Sequence, residues 1–552
     1  MPAADPVLVA VLQARLSAIA EEIGEAMLRT SYSQILNSSR DFSVAITDAR
    51  HRLIAQADHI PVHVGAMPWA VRAVAAAFPD PAPGDVFLLN DPYHGGSHLP
   101  DLTAFVPVFA PASPGDTPGT GALAFWSVVR GHQSDIGGST HGGYNPAATE
   151  IWQEGLRVPP VRLTERPGGA PREDLVALLA ANTRNARDFR GDLAAMVGAA
   201  RLGAARLEAV LAEHGTATVL DAVDAMLDAA ERHARAIVAA WPEGVYEGQA
   251  ALDDDGHGAE DIRVHARVTV RGGEVEVDLS GSDPQVAGFV NSSHANARSA
   301  AAMAFAYLLD PDVARNDGAF RPLRVVLREG TVVWAKPGAA VTLCTSHPSN
   351  EIVEAIITAL AAACPDRAMG GWGRRFRLAL RGTDPRTGRP FIWHLFHARP
   401  GGGASNAGEG WPTAGEWHTV GGIKFGSVEV TEARFPLVLE RHEFREGSGG
   451  AGAHRGGDGA VLDLRVEARG AVANTAGDGV RHGARGVAGG SDGLPHRYVL
   501  EAPGEAPRPL RTKESGVPVP PGSRLRVLSG GGGGWGPPAP EADEAAPRDA
   551  AP

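Results

Sequence analysis

Residues 84–109 read "GDVFLLNDPYHGGSHLPDLTAFVPVF". Two apolar runs flank a loop of Asn, Asp, His, Gly, Ser and Pro, a pattern that predicts strand, loop, strand. The loop carries His94 and His98 between Asp91 and Asp101. Before it, "DFSVAITDARHRLIAQ" at 41–56 alternates on either side of the turn "DARH" and predicts an antiparallel hairpin. Residues 62–78, "VHVGAMPWAVRAVAAAF", predict a short helix. After it, a Pro/Gly-rich tip at 110–121 leads to a strand, "ALAFWSVVR" at 122–130, and to a second loop, "GHQSDIGGSTHGGYNP" at 131–146.

The rest of the chain arranges itself around this β-rich region. Asp5-Pro6 has the form of an N-cap with proline at the first helical position. Leu8, Leu12, Leu16, Ile19, Ile23 and Met27 follow at three- and four-residue spacing and predict one long amphipathic helix. Helix dominates from about 173 to 241, with Gly215 as a stop between two periodic runs. Gly272-Gly273 sits between two alternating strands at 262–281 and predicts a hairpin. Further helical runs fall at about 296–309 and 350–363. Beyond 418 the chain is glycine-rich and short-stranded, which predicts an all-β closing region, and the Pro/Ala/acid-rich tail from Pro537 predicts disorder. The expected class is α+β, mixed and multi-domain. The expected segments are 1–170 with a candidate metal site, a helical segment at 171–242, an α/β region at 243–417, a glycine-rich β region at 418–536 and the tail at 537–552.

Bulk composition bounds the function. At 552 residues, 43% apolar and 21% charged, the chain has the balance of a folded protein able to build large cores. A formal net charge of −13 without a basic stripe argues against a nucleic-acid partner. Neither a membrane span nor a signal peptide is indicated. Cys344 and Cys364 are too few for a disulfide framework or a thiolate cage and read as buried thiols in a reducing cytoplasm. Any metal must therefore be held by histidine and carboxylate.

His98 and Asp101 form an H-x-x-D pair, and His132 and Asp135 form another after the next strand. A β-hairpin of the length between them brings the pairs side by side. Imidazole with carboxylate suits a divalent ion such as Zn, Mn or Fe better than Ca or Mg. Loop histidines commonly cap backbone groups or face solvent, and spacing alone leaves that reading open for a chain with 20 of them. His94 is a ligand or, preferably, a partner that orients one. His59 and His63 in "DHIPVHVGAM" are also ligand candidates, with a pocket wall or a buried hydrogen bond as the preferred reading for each. "GGGGGWGPP" at 530–538 and "HRGGDGAV" at 454–461 lack the Lys-Ser/Thr and the helix of a phosphate loop, so they read as tight turns or close backbone approaches. No G-x-S-x-G elbow or reactive cysteine is evident. If ATP is consumed, its site belongs to another chain.

The segments at 39–67, 90–109 ("NDPYHGGSHLPDLTAFVPVF"), 130–138 ("RGHQSDIGG"), 149–163 ("TEIWQEGLRVPPVRL"), 316–333 and 529–538 resemble the hydantoinase B/oxoprolinase family over nearly the whole chain. The resemblance implies a subunit of an ATP-dependent cyclic amide hydrolase, paired with a hydantoinase A-type partner that holds ATP and phosphorylates the substrate's carbonyl oxygen. It implies a metal held by Asp41, His98, Asp101 and His132, with Asp135 behind the ligands or on the substrate side. Ketone carboxylation of the acetone/acetophenone type is the alternative that the same resemblance implies, and a non-catalytic scaffold is a second. The chain departs from the family pattern at 344–356 and 396–403, where His397 stands in place of an acid. Asn350, Glu351, His397 and Arg399 there, and Glu409 beyond, are candidate substrate contacts or equally ordinary loop or helix surface.

Overall fold

The computed structural model describes residues 5–57, 59–111, 121–165 and 169–539. Most of the tip at 110–121 and the tail beyond 539, where disorder is expected, lie outside the described residues. Asp5 caps the first helix: its carboxylate accepts the Val7 N–H at 2.9 Å, and Pro6 opens α1 (Pro6–Thr30). A cap of this kind is worth about 1 kcal/mol. Leu12, Leu16, Ile19, Ile23 and Met27 are buried along one face, and Leu8 packs only partly.

A short turn of helix, α2 (Gln34–Asn37), leads to the predicted hairpin of β1 (Phe42–Asp48) and β2 (Leu53–Ala57). Asp48 closes its turn by accepting the N–H groups of Arg50 and Arg52. Then come α3 (Pro61–Ala77), β3 (Phe87–Leu89), β4 (Asp101–Phe109), β5 (Leu123–His132) and β6 (Val161–Arg162). The six strands form one antiparallel sheet in the order β2-β1-β5-β4-β3-β6. Both of its faces are covered. Val44 and Ile46 join a core shared with α1, while Ala45 joins the residues of α3 on the other side. Period-two patterning places alternate side chains on opposite faces, and here each face has its own helix to bury it.

The helical stretch resolves into α4 (Glu173–Ala181), α5 (Ala186–His214) and α6 (Thr216–Val238). Here α5 packs on α1 and on the β4–β5 face of the sheet. A second sheet holds β7 (Gly244–Asp254), β8 (Glu260–Arg271), β9 (Glu274–Asp278) and β10 (Leu323–Val326), with β10 parallel to β9. Gly272 and Gly273 turn β8 into β9 with φ of 59° and 74°, values that a two-residue hairpin of this kind requires. The helices α7 (His294–Leu308), α8 (Asp317–Phe320) and α9 (Pro348–Leu360) follow the same stretch, and α7 packs against both α3 and α9.

Two more sheets complete the chain. Strands Phe376–Thr383 and Pro390–His394 join Arg469–Gly477 and Lys513–Val519, so this sheet links residues on either side of 417. The other contains Leu437–Arg445, Gly459–Val466, Ser523–Leu528, Arg497–Glu501 and Arg508–Pro509. A helix at Val428–Arg434 interrupts the region expected to be all β; Ser427 supplies its N-cap by accepting the Val430 N–H. Among the described residues no helix is long and apolar enough to cross a membrane.

Candidate metal centre

Strand pairing does the first part of the assembly. Asp101, the first residue of β4, lies directly opposite His132, the last of β5. On the other side of β5, the His132 N–H donates to the Asp41 carbonyl at 3.0 Å, which sets Asp41 at the same end of the sheet. His98 arrives on the opening loop. The Asp91 carboxylate caps the turn Pro92–His94, and Gly95 takes φ 88° where a Cβ would meet the Trp69 carbonyl oxygen at 2.5 Å. Asn90 clamps both limbs: its amide donates to the carbonyls of Leu99 and Leu156, and its oxygen accepts the Val158 N–H.

The three side chains converge. His98 Nε2 stands 2.8 Å from Asp101 Oδ1, His132 Nδ1 stands 3.2 Å from the same oxygen, and the two nitrogens are 3.2 Å apart. Within this group, one ligand atom from each residue lies within 4.8 Å of the others, and all three residues are buried. His63 Nε2 adds a fourth group, 3.3 Å from Asp101 Oδ2 and 3.8 Å from Asp41 Oδ1. Spacing had assigned His63 to a wall or a buried hydrogen bond; the structure sets its ring among the ligand candidates.

Burial works against the Asp101 carboxylate, but the neighbouring imidazoles of His63, His98 and His132 outweigh it and hold Asp101 well below the usual carboxylate range. Burial pushes His63 down to about 4 and His132 down to about 3, although nearby carboxylates oppose this. Near neutral pH the Asp101 carboxylate therefore faces neutral imidazoles at His63 and His132, the protonation state that metal ligands need.

The hydrogen bonds test whether this donor set fits a cation. His98 Nδ1 bonds the Thr342 carbonyl, which can only accept, so Nδ1 carries a proton, and with one proton on the ring Nε2 presents its lone pair to Asp101 Oδ1. The Tyr144 hydroxyl lies 3.2 Å from His132 Nε2, and with Tyr144 as acceptor the His132 Nδ1 lone pair points at the same oxygen. Lone pairs facing a carboxylate repel, and a cation among them removes the repulsion. Asp41 Oδ2 is buried without a hydrogen-bond partner as well. The residues fit a divalent ion.

Surrounding groups hold these in place. Ser97 Oγ donates to Asp101 Oδ2 at 2.5 Å. Arg130, fully buried, donates to Thr103 Oγ1, the His63 carbonyl and Ser97 Oγ. Asp135 does not join the cluster: its carboxylate accepts from the N–H groups of Gly137, Gly142 and Arg184 and from the Arg184 guanidinium, and its backbone carbonyl accepts from Thr183 Oγ1. His94 is also apart, half-exposed and bonded to Asp91 Oδ2 at 2.8 Å. Asn350 Oδ1 bonds both the N–H and the Nδ1 of His418, and Glu351 lies 3.0 Å from Arg374 Nε. His397 and Arg399 are buried, while Glu409 is exposed. Ser97, Arg130, Tyr144 and His418 are the site-forming residues that spacing missed. His63 carries a signal, four positions after His59 at a helix start, and is a candidate for which the other role is preferred.

A separate cavity of about 250 Å³ lies across α3, lined by Pro61, Val64, Trp69, Arg72 and Arg298 among others. It does not include His63, which projects from the opposite side of that helix.

A family model described as hydantoinase B/oxoprolinase matches residues 5–538. The chain is 34% identical over 550 residues to caprolactamase subunit beta of Pseudomonas jessenii, spanning 98% of this chain and 92% of that protein. The crystal structure of the ATP-dependent caprolactamase of that organism has a TM-score of 0.88 at 32% identity, over 97% of this chain and 91% of the other. Against 5-oxoprolinase 1 of Arabidopsis thaliana the identity is 28% over 557 residues, covering 97% of this chain and 42% of that longer protein. A nucleotide-free acetone carboxylase structure has a TM-score of 0.85 at 20% identity, over 96% and 76% of the two chains, a likeness of fold alone.

Proposed function

We propose, since this chain belongs to the hydantoinase B/oxoprolinase family, that it is the metal-dependent subunit of an ATP-driven cyclic amide hydrolase. The observation that carries this reading is the convergence of His98, Asp101 and His132 on one buried point beside Asp41 and His63. Those residues would hold Zn, Mn or Fe. Such an ion supplies Lewis acidity, which lowers the pKa of water and polarises an oxygen.

The chain's own groups supply the setting. Arg130 fixes the His63 backbone and Ser97, Tyr144 holds His132, and burial excludes bulk water. His418, oriented by Asn350 and kept neutral by burial and nearby cations, has an Nε2 with no partner and serves as a proton acceptor. Asp135 acts as a positioning residue by fixing the 131–146 loop that carries Tyr144, and His94 acts likewise through Asp91. ATP is bound by a hydantoinase A-type partner, in keeping with the "subunit beta" of the caprolactamase relative. Phosphorylation of the ring carbonyl oxygen by that partner makes the carbon electrophilic and creates a good leaving oxygen. Water adds to that carbon, C–N cleavage expels the ring nitrogen as an amine with a proton taken up, and a second water releases inorganic phosphate from the resulting acyl phosphate to leave an amino or carbamoyl acid. The assembly is a cytoplasmic hetero-oligomer, consistent with two free cysteines.

The test is product analysis of the chain reconstituted with its ATP-binding partner on a panel of lactams and hydantoins, with and without bicarbonate. Ring-opened acid that needs ATP but not bicarbonate, and that falls roughly 100-fold or more in His132→Asn, is expected. A carboxylated product that needs bicarbonate would replace this reading with ketone carboxylation. An intact complex inert on every substrate would leave a scaffold.

A further inference from the structure

Arg377, on the strand Phe376–Thr383, is 4% exposed, and its guanidinium carbon lies 4.8 Å over the Tyr144 ring. Tyr144 in turn bonds His132, so Arg377 sits one side chain from the candidate metal centre. Its Nε has no hydrogen-bond partner, and among the described residues it takes part in no ion pair. The contrast with Arg130 is sharp. Arg130, also buried, donates to three acceptors through Nε and one terminal nitrogen and leaves only the other terminal nitrogen without a partner. A buried guanidinium nitrogen without an acceptor is costly, and the planar fork of donors matches the oxygens of a phosphoryl group.

Charge points the same way. Burial weakens Arg377's hold on its proton, and the carboxylates of Asp41, Glu416 and Asp101 oppose that effect. Glu416 already pairs with Arg375 at 3.7 Å. Asp41 and Asp101 balance Arg130 and Arg377, so a divalent cation would leave two positive charges without partners in a buried site. A dianionic oxyanion is the ligand that cancels them.

We propose that Arg377 binds the phosphoryl group of the activated ring substrate, at a subsite beside the metal centre. This rests on the metal-dependent reading above. The assignment gives the subsite a ligand class, a phosphate monoester-like dianion, and separates the anion-binding role from the residues that hold the metal.

The experiment titrates inorganic phosphate into the full chain, supplied with Zn or Mn, by calorimetry, with the metal content of every sample measured by elemental analysis. The wild type is expected to bind one phosphate. Arg377→Met is expected to keep its metal and its melting temperature while phosphate affinity falls at least tenfold, and Arg377→Lys, which keeps the charge but not the fork, should fall between them. Should Arg377→Met fail to fold, the lysine variant carries the comparison. Metal-loaded wild type that binds no phosphate, or variants that bind it as tightly, would overturn the assignment and leave the metal reading intact. Wild type that takes up no metal would instead remove the reading on which the assignment rests.

Discussion

The lone pair on His98 Nε2 depends on a residue that never touches the site. Glu154 accepts the N–H groups of Val341 and Thr342 at 2.9 and 2.8 Å, and the Thr342 carbonyl then fixes the His98 tautomer. Burial pushes Glu154 up to about 7, against those hydrogen bonds. Because the folded state holds this proton more tightly than the unfolded chain, the associated stability is complete below about pH 4.5 and is lost as pH rises through about 7. Its size is on the order of 3 kcal/mol. Glu154→Gln should lack this dependence, so the stability advantage of wild type over the variant, read from urea unfolding, should be larger at pH 5.5 than at pH 8. An advantage that grows with pH would contradict the account. At this scale His98, Asp101 and His132 were legible because strand ends and glycine-flanked loops mark where ligands gather. His63 was legible only as a secondary candidate, since a histidine in an apolar helix start looks the same whether it lines a core or faces Asp101.

Among the elements, the hairpin geometry that aligns Asp101 with His132 follows from two apolar strands of similar length joined by a tip, and pairing of β1 with β5 adds Asp41. The glycine-rich end was read as either positive φ or close approach. Close approach governs residues 530–534, none of which has positive φ, while Gly536 has φ 73°. These glycines run as extended backbone bonded to other glycine segments: Gly532 N–H donates to the Gly457 carbonyl, and Gly450 N–H donates to the Gly532 carbonyl. A Cβ on Gly532 would overlap the Gly402 carbonyl, which is backbone and cannot swing aside. Gly532→Ala should therefore destabilise the protein by roughly 2 kcal/mol or more, seen as a lower denaturation midpoint. An unchanged midpoint would show that the stack has slack. Such packing of backbone on backbone has no hydrophobic period, which is why the sequence pointed to tightness without disclosing the partners. The helix at Val428–Arg434 was hidden for another reason: its seven residues are too few to set a period.

In the whole molecule, the most extensive core runs from Leu12 to Ala476, another lies between the closing sheets, and a smaller one lies under α3. The site is built where the first sheet meets residues far along the chain, with Thr342 on His98, the Cys344 thiol on the Ser97 carbonyl and Ser293 on the Gly96 carbonyl. No local motif encodes those contacts, so the sequence showed half of the site and the fold supplies the rest. The account stands on a metal held at that meeting point. The most direct measurement is elemental analysis of the purified chain, with its partner where they co-express, beside His98→Ala and Asp101→Ala variants whose folding is checked by circular dichroism. Near-stoichiometric Zn, Mn or Fe in the wild type, lost in both folded variants, is the expected result. A folded wild type that takes up no metal when supplied with excess would contradict it.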